Sequence, residues 1–298
     1  MQISPEIPQC VAFIGYKKEL AGGRTEIALG GTVFFTDREL GSPGVRATYA
    51  VTARHVIEAI KERGIDGRTH IRFNSENGAA WTETELSDWT YSDDASVDVA
   101  VAPISGKVLA YGHKFIPSTM FANSDIITTE RIGVGHELYF PGLFAHHIGD
   151  DRILPIVRTG SIAAMPVERI KTDWGGSMHG YLVEARSIGG LSGSPVFVQA
   201  GPFRQTAPLQ ATLGNIVYYL LGLIHGHYEQ GVPSDSSVDA IKSDSISRTV
   251  NSGIAIIVPA KAIASVLDQD HFVQQRKVLI AQSEGNMIPP KSDQRGQR

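Results

Sequence analysis

A chain of 298 residues can bury a sizeable core in one or two domains. Its formal net charge of −4 and pI near 6.2 leave no basic field to draw in nucleic acid or an anionic membrane. The single cysteine, Cys10, excludes an intrachain disulfide, and the longest apolar run, over 217–224, is far short of a membrane span. The first residues, Met-Gln-Ile-Ser-Pro-Glu-Ile-Pro, lack the basic-then-apolar pattern of a secretory leader. A soluble protein of a reducing, cytoplasmic compartment is expected; a leader already cleaved would make it periplasmic or secreted.

In chain order, short apolar runs end at Gly, Pro, Asn or Asp over 10–16, 27–35, 47–53, 70–73, 97–104, 137–140, 154–162, 181–185, 195–199, 219–225 and 253–258. Many are rich in Val, Ile, Phe and Tyr, the strand formers. So many strands with few helical stretches between them predict a sandwich or barrel.

Helical patterns are few. Residues 56–63 read as a short helix ended by Gly64. Pro259 opens a second helix running to Leu267, and Asp270 caps a continuation to about residue 281. Residues 283–298 are polar, with Pro-Pro and Arg-Gly, and read as a disordered tail. Residues 228–251 read as a long serine-rich loop, a type that is uncommon in a compact domain unless functional or disordered. No internal repeat and no linker divides the chain.

Three segments place a catalytically competent side chain in an apolar or glycine-rich setting. The first, Val51-Thr52-Ala53-Arg54-His55-Val56, puts His55 between a strand and a helix, at a strand end beside a cleft. The second, Ser96-Val97-Asp98-Val99-Ala100, holds an aspartate in an otherwise apolar strand, where it is costly to bury unless paired. The third, Gly189-Gly190-Leu191-Ser192-Gly193-Ser194-Pro195, lets the backbone turn tightly around Ser192 and lets a substrate carbonyl approach its N–H groups. Each has a plainer reading: a structural histidine, a strand-edge aspartate, and a Gly-Ser turn. Asp93 and Asp94 read as solvated turn residues. Together the three supply a base, an acid and a nucleophile for acyl transfer.

The order His55, Asp98, Ser192 and the surrounding motifs resemble the trypsin-like serine peptidase family, nearest its bacterial Deg/HtrA and glutamyl-endopeptidase branches. Gly30-Gly31-Thr32-Val33-Phe34-Phe35 resembles the glycine-rich strand before the family's histidine. Val157-Arg158-Thr159-Gly160-Ser161-Ile162 resembles the strand after the crossover between barrels. Asn251-Ser252-Gly253-Ile254-Ala255 and the residues to Pro259 resemble the closing strand of Deg-type domains. The resemblance spans about residues 9–270.

It implies an all-β fold of two packed six-stranded antiparallel barrels followed by a helix. The peptidase domain would cover about 1–275, with barrels at about 9–118 and 119–258, a helix at about 259–275, and the helix end and tail at 276–298. It implies a serine endopeptidase acting on polypeptides through His55, Asp98 and Ser192, with an oxyanion hole from the N–H groups of Gly190 and Ser192. No cofactor, metal, nucleic acid or membrane is implied, and no particular regulatory partner. A silent trypsin-fold module that binds peptides or acts as a scaffold is the alternative.

Departures from the family are informative. Leu191 stands where secreted trypsins carry an aspartate that pairs with a new N-terminus, and Ser194 replaces the usual second glycine. No PDZ-like pattern follows the barrels. Arg186, six residues before Ser192, falls at the family's pocket floor, and His225 follows a pocket-lining strand. If both point inward, they favour an acidic residue before the scissile bond. Otherwise Arg186 faces solvent and His225 packs in the wall. His146-His147 and His225-x-His227 lack a carboxylate or cysteine at metal-ligand spacing and read as loop histidines.

Overall fold

The computed structural model describes residues 3–41, 44–104, 113–144, 147–172, 176–185, 190–201, 203–207, 210–213, 217–231 and 249–286. Its N-terminal half contains β1 (Val11–Glu19), β2 (Thr25–Glu39), β3 (Arg46–Thr52), helix α1 (Arg54–Arg63), β4 (Arg68–Ser75), β5 (Gly78–Glu85), β6 (Thr90–Tyr91), β7 (Ala100–Pro103) and β8 (Ile116–Pro117). These strands form an eight-stranded sheet in the order β5-β4-β1-β2-β3-β7-β6, with β8 parallel on β2. Val11 to Ile14, Val33 to Phe35 and Ala50 to Val51 are buried on successive positions. Such continuous apolar runs belong to strands covered on both faces.

Helix α2 (Ser124–Thr129) bridges to the second half. There follow β9 (Glu137–Gly142), β10 (Ile156–Ala164), β11 (Ile170–Lys171), β12 (Ser177–Met178), β13 (Tyr181–Glu184), β14 (Pro195–Ala200), β15 (Phe203–Ala207), β16 (Gln210–Leu213), β17 (Val217–Gly231) and β18 (Thr249–Pro259). Six of them close a barrel in the order β10-β13-β18-β17-β14-β9. Leu138 with Phe140, Val196 with Val198, and Ala255 with Ile257 fill one cluster from alternate positions of three strands. That period of two is the inward face of a small barrel.

One barrel is therefore closed, whereas two were expected. Among the described residues the N-terminal sheet does not close by hydrogen bonds. Its two edges, β5 and β6, are consecutive in sequence and joined by one 3₁₀ turn, Leu86–Asp88. The sheet must curl to let that turn connect its edges. β6 has only two residues, and both pair with β7. The side chain of Trp89, donating to Thr84 Oγ1 at 2.9 Å, ties this corner to the edge strand.

Two helices, α3 (Ala260–Leu267) and α4 (Asp270–Asn286), follow the barrel. Ala260, Ile263, Val266 and Leu267 are buried, a one-sided helical stripe. Arg38 of β2 pairs with Asp268, and Arg276 donates to Tyr49 Oη at 3.2 Å and the Leu267 carbonyl at 2.7 Å. The C-terminal helices are thus anchored to the N-terminal sheet. α4 runs past residue 283 to Asn286, so the polar tail expected from 283 begins later; residues 287–298 lie outside the described set. The loop expected over 228–251 is narrower too. Strands β17 and β18 stay paired to Gly231 and Thr249, leaving 232–248 outside the described residues. None of the described helices is long and apolar enough to cross a membrane.

Candidate active site

Helix α1 starts without help from its own N-cap residue, because Ala53 has no polar side chain. Its first N–H groups are orphaned donors. Asp98 supplies the acceptor from elsewhere in the fold: its Oδ1 accepts the His55 backbone N–H at 2.8 Å. Its Oδ2 accepts from His55 Nδ1 at 2.8 Å. One carboxylate therefore caps the helix and holds the imidazole ring of His55. The helix N-terminus in turn favours negative charge at that spot.

Asp98 lies in the extended segment just before β7, although the apolar run predicts a strand from 97. Val97 donates to the Asp94 carbonyl at 2.9 Å and Val99 to the Val97 carbonyl at 3.1 Å, so the chain is turning there rather than pairing. The Asp98 side chain is buried. Burial alone would raise its pKa, but hydrogen bonds from His225 and His55 outweigh that and hold it well below the usual carboxylate range. His55 is the converse. Burial works against its charged form, yet the hydrogen bond and charge of Asp98 leave its pKa raised. The His55 side chain keeps 42% of its surface exposed, open to the cleft.

Sequence reasoning did not anticipate what stands on the other side of Asp98. His225, near the middle of β17 and buried, turns its Nδ1 onto the same Oδ2. The rings of His55 and His225 lie edge to face, 5.5 Å apart at 86°. A signal existed: a histidine within Leu-Gly-Leu-Ile-His must find a buried acceptor, by the argument applied to Asp98.

Ser192 sits in a turn fixed by its neighbours. Ser194 N–H donates to the Leu191 carbonyl, and Gly193 N–H to the Ile224 carbonyl, each at 2.9 Å. In a trans peptide the N–H lies opposite the carbonyl. The Ser192 N–H is therefore directed away from the Leu191–Ser194 turn. Thr32 Oγ1 donates to the Gly190 carbonyl at 2.8 Å, fixing the next peptide back. Gly193 has φ +82°, and a Cβ there would lie 2.2 Å from Thr52 Oγ1 and 2.3 Å from the Thr32 carbonyl. Only glycine lets the loop dock this closely on the N-terminal sheet.

Ser192 Oγ donates to the His225 carbonyl at 3.4 Å. Among the described residues it makes no hydrogen bond to His55. His55, Asp98, Ser192 and His225 nevertheless line one cleft of about 870 Å³, with Arg54, Glu58, Thr172 and Met178 in its walls. Leu191 is buried in the barrel core. Arg186 and Gly189 lie outside the described residues, as does His146. His55, Asp98 and His225 bring their ligand atoms within 4.8 Å of one another. The carboxylate that His225 meets comes from 127 residues away in the chain.

No protein-family model matches the chain, and no curated protein does. Among solved structures it is similar to the protease domain of MamO from Magnetospirillum magneticum, at 12% identity over 88% of this chain and 98% of that one, with a TM-score of 0.49. It is similar to Deg5 at 16% identity, over 87% and 88% of the two chains, with a TM-score of 0.47. It is similar to the HtrA-type protease AlgW at 14% identity, over 93% and 66%, with a TM-score of 0.45.

Proposed function

We propose that the chain is a serine endopeptidase that cleaves polypeptides through an acyl-enzyme. The observation that carries this reading is the pair of hydrogen bonds that Asp98 accepts from the backbone N–H and the ring of His55, beside Ser192 in the same cleft. With Nδ1–H given to Asp98, neutral His55 presents Nε2 as the acceptor. Ser192 would then lose its proton to that nitrogen as its Oγ attacks the substrate carbonyl. The hydroxyl would first have to leave the His225 carbonyl. Asp98 stays ionised and stabilises the imidazolium that forms. The N–H groups of Ser192 and Gly190 would receive the oxyanion, each contributing about 3 kcal/mol to lowering the barrier.

His55 then returns its proton to the leaving amine, and water repeats the cycle on the acyl-enzyme. The preference for an acidic residue before the scissile bond now rests mainly on Arg186. His225 Nδ1 is directed to Asp98 instead of toward a substrate side chain.

A fluorophosphonate probe tests the reading directly. Covalent labelling that maps to Ser192 and disappears in Ser192→Ala supports it. A folded chain that is never labelled and never cleaves peptide favours the second reading, a silent peptide-binding module. The Ser192 hydroxyl's bond to a carbonyl instead of to His55 is the observation on that side.

A further inference from the structure

We propose that His55, Asp98 and His225 form a binding site for one divalent transition-metal ion of the zinc class, and that its occupancy excludes peptidase catalysis. The second half of this statement rests on the peptidase reading; the first does not.

The donor set comes first. Two imidazole Nδ1 atoms converge on one carboxylate oxygen, and the three ligand atoms lie within 4.8 Å of one another. Two imidazoles and one carboxylate suit zinc. The donors arrive from three separate elements: the start of α1, the turn before β7, and the middle of β17.

Geometry agrees with radial coordination. Two ligands about 2.05 Å from a tetrahedral ion stand about 3.3 Å apart, so the 2.8 Å between His55 Nδ1 and Asp98 Oδ2 needs a spread of about 0.5 Å, and the shorter contact of His225 Nδ1 with Asp98 Oδ2 a larger one. Imidazoles radiating from one ion through nitrogen place their ring centres about 5.2 Å apart. The observed spacing of 5.5 Å matches that value.

The supports are present as well. Asp98 Oδ1 is held by the His55 N–H, which orients the carboxylate as outer contacts orient metal ligands elsewhere. Three protein ligands leave the fourth tetrahedral position to water.

The link to catalysis is a matter of tautomers. In the free site each Nδ1–H donates to Asp98. A metal on Nδ1 requires that nitrogen to be deprotonated, so the proton of the neutral ring moves to Nε2 with no net loss. Nε2 of His55 is the atom that must accept the Ser192 proton. Once it carries a proton of its own, it cannot act as the base. The ion would therefore silence the enzyme without touching Ser192, through the nitrogen facing away from it. A misassigned tautomer at this position is by itself severely inhibitory.

The test uses the whole chain, stripped with EDTA and titrated with zinc in competition with a chromophoric chelator. One equivalent is expected to bind. Ser192→Ala should bind it equally. His225→Gln and His55→Ala should each lose it, by more than the about 10–100-fold that changes outside the ligand set produce. His225 is buried and its variant could misfold. His55→Ala guards against that, since the His55 ring is partly exposed and alanine suits a first helical turn. The chain has 10 histidines, so the loss in both variants separates this site from adventitious ones.

Zinc should also slow fluorophosphonate labelling of the wild type in proportion to occupancy, with recovery on adding EDTA. No uptake, or uptake that survives in both histidine variants, overturns the metal site. Full labelling at saturating zinc overturns the exclusion. A chain that never labels but still binds zinc through both histidines defeats the peptidase reading alone.

Discussion

The backbone N–H of Thr32 donates to the carbonyl of Ser192 at 3.0 Å, joining the N-terminal sheet to the loop of the expected nucleophile. The rest of Thr32 is engaged in the same joint. Its hydroxyl donates to the Gly190 carbonyl at 2.8 Å and accepts the Leu143 N–H at 2.9 Å, and its own carbonyl accepts from Thr52 Oγ1 at 2.7 Å. His55 follows directly from the strand that carries Thr52. Thr32 therefore ties the segment that leads to His55 to the loop that carries Ser192, without entering the cleft.

The first prediction follows from that role. Thr32→Val keeps the shape of the side chain but strands the Leu143 N–H and the Gly190 carbonyl. Leaving such groups buried without a partner costs about 1–3 kcal/mol. Displacement of the loop by a fraction of an ångström to 1 Å should slow labelling of Ser192 by up to about 10²-fold. Thr32→Ser, which retains the hydroxyl, should recover most of the rate. Denaturant melts combined with labelling kinetics check this; wild-type labelling in Thr32→Val would refute it.

The second prediction concerns pH. The charge and hydrogen bond of Asp98 outweigh burial and raise the His55 pKa, so the base is neutral only above a midpoint higher than about 6.5. Labelling and turnover should rise with pH through that midpoint. Asp98→Asn leaves the charge of Glu58 alone against burial, so the midpoint should fall along with the maximal rate. Stability follows the same pair. The His55 contribution is complete below about pH 6.5 and fades as pH rises through its raised folded value. The Asp98 contribution is present above about pH 3.9 and is lost as pH falls through its depressed folded value. The stability gap between wild type and Asp98→Asn should therefore be widest between about pH 4 and 6.5. A gap that does not vary with pH would argue against the pair.

Leu191 carries the third prediction. It is 2% exposed, packed among Phe140, Val196 and Ile224 of the barrel core. The loop is anchored here by apolar burial, where secreted trypsins use an ion pair with a new N-terminus. The intact chain is therefore expected to label without prior cleavage. Leu191→Asp should abolish labelling and destabilise the fold, because a lone carboxylate among these side chains costs several kcal/mol. Activity that appears only after one N-terminal cut would contradict this account.

The legibility of the chain followed its chemistry. Each of the eleven apolar runs contains a strand, because burial demands the composition that makes a strand readable. β5, Gly-Ala-Ala-Trp-Thr-Glu-Thr-Glu, escaped notice. It is an edge strand of half-exposed and exposed positions and has no apolar run to announce it. β6, β8, β11 and β12 are two-residue pairings that composition does not mark. At the candidate site, His55 and Asp98 stand out from apolar surroundings and Ser192 from a glycine-rich one, and all three line one cleft. The contact between Asp98 and His225 was not. It depends on how the N-terminal sheet docks on the barrel, and local spacing carries no record of that.

The last prediction lies beneath the nucleophile loop. Ser194 is fully buried, and its backbone is satisfied by Leu191 and Ile224. Its hydroxyl has no hydrogen-bond partner among the described residues. The fit around it is tight: a Cβ placed on Gly142 would fall 2.1 Å from Ser194 Oγ and 2.9 Å from Thr32 Oγ1. A desolvated hydroxyl without a partner costs about 1–3 kcal/mol. Ser194→Ala keeps the Cβ, removes the hydroxyl and leaves the backbone turn in place. It should therefore stabilise the protein, raising Tm by about 2–4 °C per kcal/mol recovered. Gly142→Ala should do the reverse, since the added methyl drives Ser194 and Thr32 apart at an overpacking cost of about 1–3 kcal/mol. In the double variant Ser194→Ala with Gly142→Ala, part of that cost should be relieved, because the methyl no longer meets the Ser194 oxygen. Thermal melts of the two single variants and the double measure the coupling. If Ser194→Ala instead lowers Tm, the hydroxyl is bonded to a buried water that also supports the loop.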